Sequence, residues 1–334
     1  MHAIPRRRAL AATAAALTAA LLASACGTTE EPADAASSSG PAVASGPVDL
    51  TDERGPVHLD APAKNIVSLE WGLTENLLTL GVTPVGAADV AGYNTWDTVV
   101  PLDESTPDVG MRGEPSLDAI SALEPDLVVT TTDLPAEVIE QIEAEYPVIA
   151  LRGSDASDPI GKMERTLQIL GEATGTSDAA EAALADFDAK VADAKTALDE
   201  AGLTGATYTM ADGWISDGAV SIRMYTPGSF LGGVAGELGL TNAWTGEGDP
   251  DYGLAQTDVE GLTGLGGDVH FLYVGNDTDG GDAFKDGLAG NAIWEQLPFV
   301  VAGQTTRLPD GIWMFGGPES AAAFIDATVA ALTA

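Results

Sequence analysis

The sequence predicts an α/β protein whose two lobes are joined by one long helix, and three observations support this fold class. Short apolar strands alternate with helices over short loops, as in parallel sheets that are covered by helices. This alternation occurs twice, over residues 60–155 and 203–334. Between the two halves, residues 178–200 carry a narrow apolar stripe at helical spacings of 3, 4 and 7, formed by Leu184, Phe187, Val191 and Leu198.

The first half is predicted to alternate strands with helices. Its short apolar runs predict strands at 57–59, 65–69, 82–88, 126–130 and 148–150. Stretches with a helical apolar period predict helices at 74–80, 116–123 and 136–145. Gly81 ends the first of these helices, and residues 89–106 form the longest predicted loop.

The second half is predicted to repeat the pattern after two intervening helices. These helices lie at 159–170 and 178–200, and Ser177 is predicted to cap the longer one. Strands are then predicted at 206–210, 221–225, 270–274 and 305–308, and helices at 230–238, 293–297 and 319–332. The predicted domains are therefore a first lobe at 59–176, a connecting helix at 177–201 and a second lobe at 202–334.

Residues 1–25 have the features of a secretory signal peptide. Residues 6–8 are all arginine, and residues 9–22 form an apolar region that is too short to span a bilayer. Small residues then precede Cys26, the only cysteine, as in the lipobox of bacterial lipoproteins. We expect Cys26 to be lipidated, so that the exported protein is held on the outer face of the cell membrane by this anchor alone. The alternatives are an ordinary cleaved signal with an incidental cysteine, and export by the twin-arginine route.

Residues 26–58 are predicted to combine the lipidated cysteine, a flexible tether and a leading segment. From residue 27 to 48 the chain is rich in Ser, Ala, Gly, Pro and Glu, which is too polar and too simple a composition to fold. Such a tether keeps the lobes near the membrane and leaves them mobile.

The chain is strongly acidic, with 51 Asp and Glu residues, 14 Lys and Arg residues and a formal net charge of −37. This charge argues against nucleic acid as a partner and against direct adsorption to anionic lipid. It favours a neutral or cationic ligand over a highly anionic one. After the signal, no stretch is apolar over the ~18 residues that a transmembrane helix needs.

The sequence lacks the motifs of the common enzyme classes. It has no Gly-x-Ser-x-Gly elbow, no P-loop and no Gly-x-Gly-x-x-Gly after a strand. After the signal only His58 and His270 remain, and neither has the spacing of a metal ligand. We therefore expect no catalytic centre, no metal bound by the protein itself and no cofactor.

A lone arginine, Arg112, lies between two glycines in the stretch 107–115. Glycine lets a ligand approach the backbone closely, and a guanidinium presents five donors in a fixed fork. Other loops carry aromatic residues, namely Trp71, Tyr93, Trp96, Tyr252 and Trp313. Because ligands of open α/β sheets bind beyond the carboxyl ends of strands, these residues predict a pocket for a bulky, partly apolar small molecule. The alternative is a surface turn for Arg112 and ordinary packing for the aromatic residues.

The chain resembles the iron-siderophore and cobalamin family of ABC-transporter solute-binding lipoproteins over nearly all residues after the tether. It is most similar to the ferric hydroxamate, or ferrichrome-type, binding proteins. The segments that carry the resemblance lie at 66–71, 93–96, 108–115, 122–128, 242–244, 297–300 and 313–316. The resemblance implies the helical-backbone periplasmic-binding-protein fold, with two Rossmann-like lobes, a rigid connecting helix, a shallow cleft and little lobe movement on binding.

The resemblance also implies which residues bind the ligand. Arg112 matches the arginine that contacts the iron-bound hydroxamate oxygens, and Tyr252 falls where the pattern has tryptophan. Aromatic wall positions of the pattern are matched by Trp96, Trp313 and Phe315. From the residues alone, Trp71 joins this set because it follows a strand, and Arg223 is the best candidate for a further pocket cation.

Three further expectations come from the resemblance. The loop 131–135 departs from the ferrichrome-type pattern because it lacks the pocket tyrosine. Glu137 matches the first-lobe surface glutamate that pairs with permease arginines. Asp282 is the predicted acidic counterpart in the second lobe.

Together these features predict a monomeric receptor, not an enzyme, that captures a ferric hydroxamate siderophore and delivers it to the permease of an ABC importer. The siderophore would hold the iron. Alternatives within the family are another iron chelate, haem or cobalamin. Of other classes, an anchored cell-wall hydrolase would need two carboxylates facing each other in a cleft, and a structural adhesion protein would need no pocket.

Overall fold

The computed structural model describes residues 46–216 and 218–334, so the predicted signal, Cys26 and most of the tether lie outside the described residues. Its strands are β1 (Val48–Asp52), β2 (Gly55–Leu59), β3 (Ile66–Ser68), β4 (Gly86–Ala87), β5 (Gly110–Met111), β6 (Glu114–Pro115), β7 (Leu127–Thr131), β8 (Val148–Leu151), β9 (Thr207–Ser216), β10 (Ala219–Tyr225), β11 (Thr241–Asn242), β12 (Leu254–Thr257), β13 (His270–Tyr273) and β14 (Thr305–Arg307). Its α-helices are α1 (Trp71–Thr79), α2 (Val90–Trp96), α3 (Leu117–Ala122), α4 (Ala136–Glu143), α5 (Pro159–Thr174), α6 (Ser177–Glu200), α7 (Phe230–Glu237), α8 (Pro298–Val301) and α9 (Pro318–Thr333). In this part of the chain, no helix has the length and apolar character needed to cross a bilayer.

The first lobe is built on a parallel four-stranded sheet in the order β4-β3-β7-β8. Every residue of β3, β7 and β8 is buried, as expected for apolar strands that are covered on both faces. At the carboxyl edge of this sheet, β3 leads through Glu70 into α1, and β8 leads into the loop before α5. This edge faces the second lobe and supplies half of the cleft described below.

The second lobe is built on a mixed six-stranded sheet, with the path β12-β10-β9-β13-β14 and β11 paired to β9. Strands β13 and β14 are parallel to β9 and to each other, as the repeated pattern predicts. In contrast, β9 and β10 form an antiparallel hairpin, and β12 is antiparallel to β10. The apolar alternation did not reveal the hairpin because β9 extends to Ser216, well beyond its predicted end at residue 210.

Helix α6 joins the lobes, so the predicted fold class of two α/β lobes and one long helix is confirmed. The prediction that Ser177 caps this helix is wrong, because Thr176 is the N-cap residue and its side chain makes no capping hydrogen bond. A single apolar core cluster contains Trp71 of the first lobe, Phe187 of α6, and Phe230 and Trp313 of the second lobe. The lobes therefore share a core as well as a helix.

Two segments contain more structure than was predicted, because the predicted strand 57–59 belongs to a hairpin and the predicted loop 89–106 contains a helix. Strands β1 and β2 form a hairpin, in which Leu50 is buried and the Asp52 carboxylate accepts a hydrogen bond from the Ala150 amide at 2.8 Å. The predicted boundary at residue 59 is therefore wrong, because the first lobe already includes this hairpin. In the predicted loop 89–106, α2 begins after Asp89, whose side chain accepts from the Gly92 amide, and Tyr93 is fully buried.

Candidate functional site

A cleft of about 540 Å³ lies between the two lobes, next to the carboxyl edge of the first sheet. Residues of both lobes line it. The first lobe contributes Thr131 at the end of β7 and Ser154 after β8, among others. The structure brings together in this cleft Trp71, Trp96, Arg112, Arg223, Tyr252, Trp313 and Phe315. Tyr93, which the sequence analysis also placed among the aromatic residues of the predicted pocket, is fully buried and does not line the cleft.

Arg112 lies at the tip of the short β5–β6 hairpin, where Gly110 adopts a φ of 99° that favours glycine. Its guanidinium donates to the Glu70 carboxylate at 2.9 Å and lies 3.9 Å from the centroid of the Trp71 ring. Glu70 also accepts from the Trp71 amide and so caps α1. The arginine is thus held by an ion pair and a cation–π contact, while its remaining N–H groups have no acceptor among the described residues.

Aromatic rings form a continuous wall beside this arginine. The ring centroids of Trp71 and Trp313 are 4.9 Å apart, and those of Trp313 and Phe315 are 5.3 Å apart, both in edge-to-face geometry. The ring centroids of Phe315 and Tyr252 are 5.4 Å apart. Trp96 stands farther out, where its indole N–H donates to Asp279 at 2.9 Å. Such a wall suits a ligand with a large apolar surface.

Tyr252 reaches from the second lobe to the loop of the first lobe that lacks the expected tyrosine. Its hydroxyl donates to the Asp133 carboxylate, and both groups lie against the backbone of Gly153. Burial and the neighbouring Asp133 carboxylate raise the pKa of the Tyr252 phenol, so it remains a donor at neutral pH. A phenol therefore contacts the loop 131–135, and it belongs to the second lobe.

Arg223 lines the cleft, but its charge is already paired. Its guanidinium binds both carboxylate oxygens of Asp212, with Nε to Oδ1 at 2.9 Å. The guanidinium carbon also lies 5.5 Å from the centroid of the Phe315 ring. Arg223 therefore extends the wall rather than offering an unpaired cation.

Several cleft residues were missed by sequence reasoning. Glu70, Asp212 and Asp279, and Asp133 next to Tyr252, were not singled out because acidic residues are too abundant to be informative one by one. Lys162 was also missed, although it lies in the first turn of α5, which follows the carboxyl end of β8. The rule that ligands bind beyond strand ends, applied to every cation of this cation-poor chain, would have found it.

The two predicted docking carboxylates differ in exposure. Glu137 is exposed in the first turn of α4, as a docking residue must be. Asp282 is only 4% exposed, and it accepts hydrogen bonds from the amides of Phe284 and Lys285 and from the Tyr273 hydroxyl. The docking role predicted for Asp282 is therefore wrong, because this carboxylate is used inside the second lobe.

Beneath the cleft, a buried carboxyl group connects the lobes. Glu75 of α1 accepts hydrogen bonds from the amide and the hydroxyl of Ser320, in the first turn of α9, both at 2.9 Å. The carboxyl group of Asp97, which follows α2, is fully buried near Glu75, and neither of its oxygens has a hydrogen-bond partner among the described residues. Burial and the proximity of Glu75 raise the pKa of Asp97 to about 9, and burial raises the pKa of Glu75 as well.

Comparison with known proteins gives a family match. A family model described as "Periplasmic binding protein" matches residues 66–311. This segment runs from the first strand of the first sheet to the loop after β14, and so includes most of the cleft residues.

Individual proteins resemble this chain at low sequence identity. The iron(3+)-hydroxamate-binding protein FhuD of Escherichia coli is 28% identical over 260 residues, which is 78% of this chain and 84% of the relative. The ferric enterobactin-binding periplasmic protein FepB of Escherichia coli O6:H1 is also 28% identical, over 76% of this chain and 81% of the relative. The Fe³⁺–Desferal bound siderophore binding protein FhuD from Vibrio cholerae is similar in structure, with a TM-score of 0.71 and 25% identity over 81% of this chain and 98% of that chain.

Proposed function

The chain belongs to the periplasmic binding protein family, and on this premise we propose that it captures a ferric siderophore outside the cytoplasm and delivers it to the permease of an ABC importer. We further propose that the siderophore is a hydroxamate. The observation that carries this proposal is Arg112, held by Glu70 and Trp71 beside an aromatic wall with N–H groups left to donate. Such donors suit the chelating oxygens of a ferric complex.

The charges around the cleft support a hydroxamate over a tris-catecholate. Ferric trihydroxamate cores are neutral, whereas ferric tris-catecholates are strongly negative. Arg112 and Arg223 are both matched by carboxylates, Asp279 adds further negative charge to the cleft, and Asp133 adds negative charge next to Tyr252. A polyanion would meet these carboxylates with little cationic compensation. Relatives of equal identity are named for a hydroxamate and for enterobactin, so the cleft itself, more than the level of identity, supports the choice.

In this proposal the protein holds iron only through the siderophore and acts as a lipid-anchored monomer. Within residues 46–216 and 218–334, no group of three or more His, Cys, Asp and Glu side chains is arranged to hold a metal ion. The exposed Glu137 is available to pair with permease arginines. Against a hydrolase, the cleft carboxylates of Glu70 and Asp212 are each bound to an arginine rather than poised as a catalytic pair.

Tryptophan fluorescence tests the ligand class directly. Because Trp71, Trp96 and Trp313 all line the cleft, a bound ferric hydroxamate is expected to quench the emission in a saturable titration. Iron-free hydroxamate at the same concentration is the control. Quenching by haem or cobalamin, with none by any ferric siderophore, would contradict the proposal, and quenching by ferric enterobactin alone would move the ligand to another chelate.

Gly153→Ala is expected to weaken ferric hydroxamate binding by about tenfold, or ~1.4 kcal/mol. The added methyl group would collide with the Tyr252 hydroxyl and the Asp133 carboxylate, so the pair must separate and the phenol ring must shift in the cleft. Both atoms lie at side-chain ends that can move, so the midpoint of thermal unfolding should change little. Gly113→Ala is the matched control, because its methyl group meets no atom within 4 Å. Equal affinities for the two variants would contradict this role of Tyr252.

A further inference from the structure

The cleft contains a lysine that no carboxylate neutralises through an ion pair. Lys162 lines the cleft together with Met163 and Thr166, all on the first two turns of α5. Its ammonium makes no hydrogen bond or ion pair with any of the described residues, whereas Arg112 and Arg223 are paired with Glu70 and Asp212. Among the cleft cations, Lys162 is the one whose charge remains available to a ligand.

This position is unfavourable for a lysine that has only a packing role. It lies in the first turn of α5, at the positive end of the helix dipole, where a cation is disfavoured. Burial lowers its pKa to about 8 even though the carboxylates of Glu70 and Asp133 act in the opposite direction. Methionine would fill the same space without either cost. The charge is therefore best explained by a group that enters the cleft.

We propose that Lys162 is a second cationic contact for the ligand and donates to an anionic oxygen of the ferric chelate. This inference rests on the proposed function, and it adds a charge preference to it. Because both arginines are already matched, a neutral chelate would leave Lys162 uncompensated, whereas a chelate with a pendant carboxylate would pair with it. The carboxylates of Asp279 in the cleft and of Asp133 next to Tyr252 disfavour a ligand with several negative groups. The cleft therefore suits a ferric hydroxamate with a single free carboxylate.

A matched ligand series tests this charge preference. The ferric complexes of desferrioxamine B, its N-acetyl derivative and its N-succinyl derivative share one chelating core and end in an ammonium, a neutral amide and a carboxylate, respectively. The parent protein is expected to bind the succinylated complex about tenfold more tightly than the acetylated complex, as one charge-assisted hydrogen bond would give. Lys162→Met should lose this ratio, and Lys162→Arg should keep it.

A pH series separates a ligand contact from a structural role. In the parent protein, affinity for the succinylated complex should fall as the pH rises above about 8, because the ammonium of the free protein loses its proton there. In Lys162→Arg the affinity should stay constant over the same pH range, because the guanidinium keeps its charge. The midpoint of thermal unfolding should be equal or higher in Lys162→Met, because a half-buried cation without an ion-pair partner among the described residues is removed.

The outcomes distinguish this inference from the function on which it rests. If the complexes bind the parent protein and Lys162→Met retains the parent's ratio of affinities, the role of Lys162 is refuted and the proposed function stands. If none of the three complexes binds the parent protein, the hydroxamate ligand and the role of Lys162 are both refuted. A fall in the unfolding midpoint of Lys162→Met with an unchanged ratio would assign the lysine to folding alone.

Discussion

Arg112→Ala is expected to weaken the binding of a ferric hydroxamate by about 30-fold, or ~2 kcal/mol, without unfolding the protein. The substitution removes charge-assisted donors to the ligand and leaves the Glu70 carboxylate in the cleft without its cation. The stability of the fold should change little, because the Arg112 side chain is 36% exposed and lies on a hairpin tip outside the core. The unpaired carboxylate should also repel any anionic part of the chelate.

Titration of tryptophan emission or calorimetry with the same ferric hydroxamate would measure this effect. Arg54→Ala is the matched control, since Arg54 also forms an ion pair at 2.9 Å, with Glu143, but does not line the cleft. Arg112→Lys should be intermediate, because an ammonium keeps the charge but loses the planar fork. Unchanged affinity of Arg112→Ala for every ferric hydroxamate that binds the parent protein would exclude Arg112 from the site.

Asp97→Asn is expected to stabilise the protein at pH 8 by ~1–3 kcal/mol, the usual penalty of a buried group that lacks its partner. The Asp97 carboxyl is fully buried near Glu75 and Tyr93, and neither of its oxygens has a hydrogen-bond partner among the described residues. Its pKa rises from 3.8 to about 9 on folding, so the folded state binds this proton more tightly than the unfolded state. The contribution of Asp97 to the free energy of unfolding therefore falls as the pH rises through this interval. An asparagine amide carries no charge at any pH and so avoids this cost.

Chemical denaturation at pH 4, 6 and 8 would test this expectation. The gain from Asp97→Asn should be small at pH 4 and should grow with pH, while the exposed Asp186→Asn should follow the parent protein throughout. Asp97 is not the source of the pH dependence if Asp97→Asn is less stable than the parent at pH 8. The same holds if the free energies of unfolding of Asp97→Asn and of the parent change in parallel with pH.

The sequence predicted the parts of the fold that depend on local pattern. The apolar stripe of α6 identified the helix between the lobes, and the aromatic loops with Arg112 identified the wall and its polar contact. These predictions succeeded because strand ends and glycine turns fix where such residues lie, whatever the details of packing. The strand at 57–59 was predicted, but β1 and its pairing with β2 were missed because β1 directly follows the polar tether, and contacts such as that of Asp52 with Ala150 exist only in the folded chain.

The remaining errors concern properties that arise only in three dimensions. Asp282 looked like a surface carboxylate, but its partners are amides a few residues away and the Tyr273 hydroxyl, which bury it. Arg223 looked like a free cation, but its partner Asp212 is directly opposite across the β9–β10 hairpin that the sequence did not reveal. Lys162 was missed for the opposite reason, because it has no such partner among residues 46–216 and 218–334, and no sequence pattern indicates this.

The contact between Trp71 and Trp313 has a consequence for how receptors of this type diverge. Both indoles face the cleft, and both belong to the core that the lobes share. Truncating such a side chain costs ~3–5 kcal/mol, a large part of the 5–15 kcal/mol that stabilises a typical domain. Evolution toward a new ligand is therefore constrained at the wall and freer at residues that the shared core does not use. Descendants of this scaffold that take up different chelates should first differ at positions such as Lys162 and Tyr252.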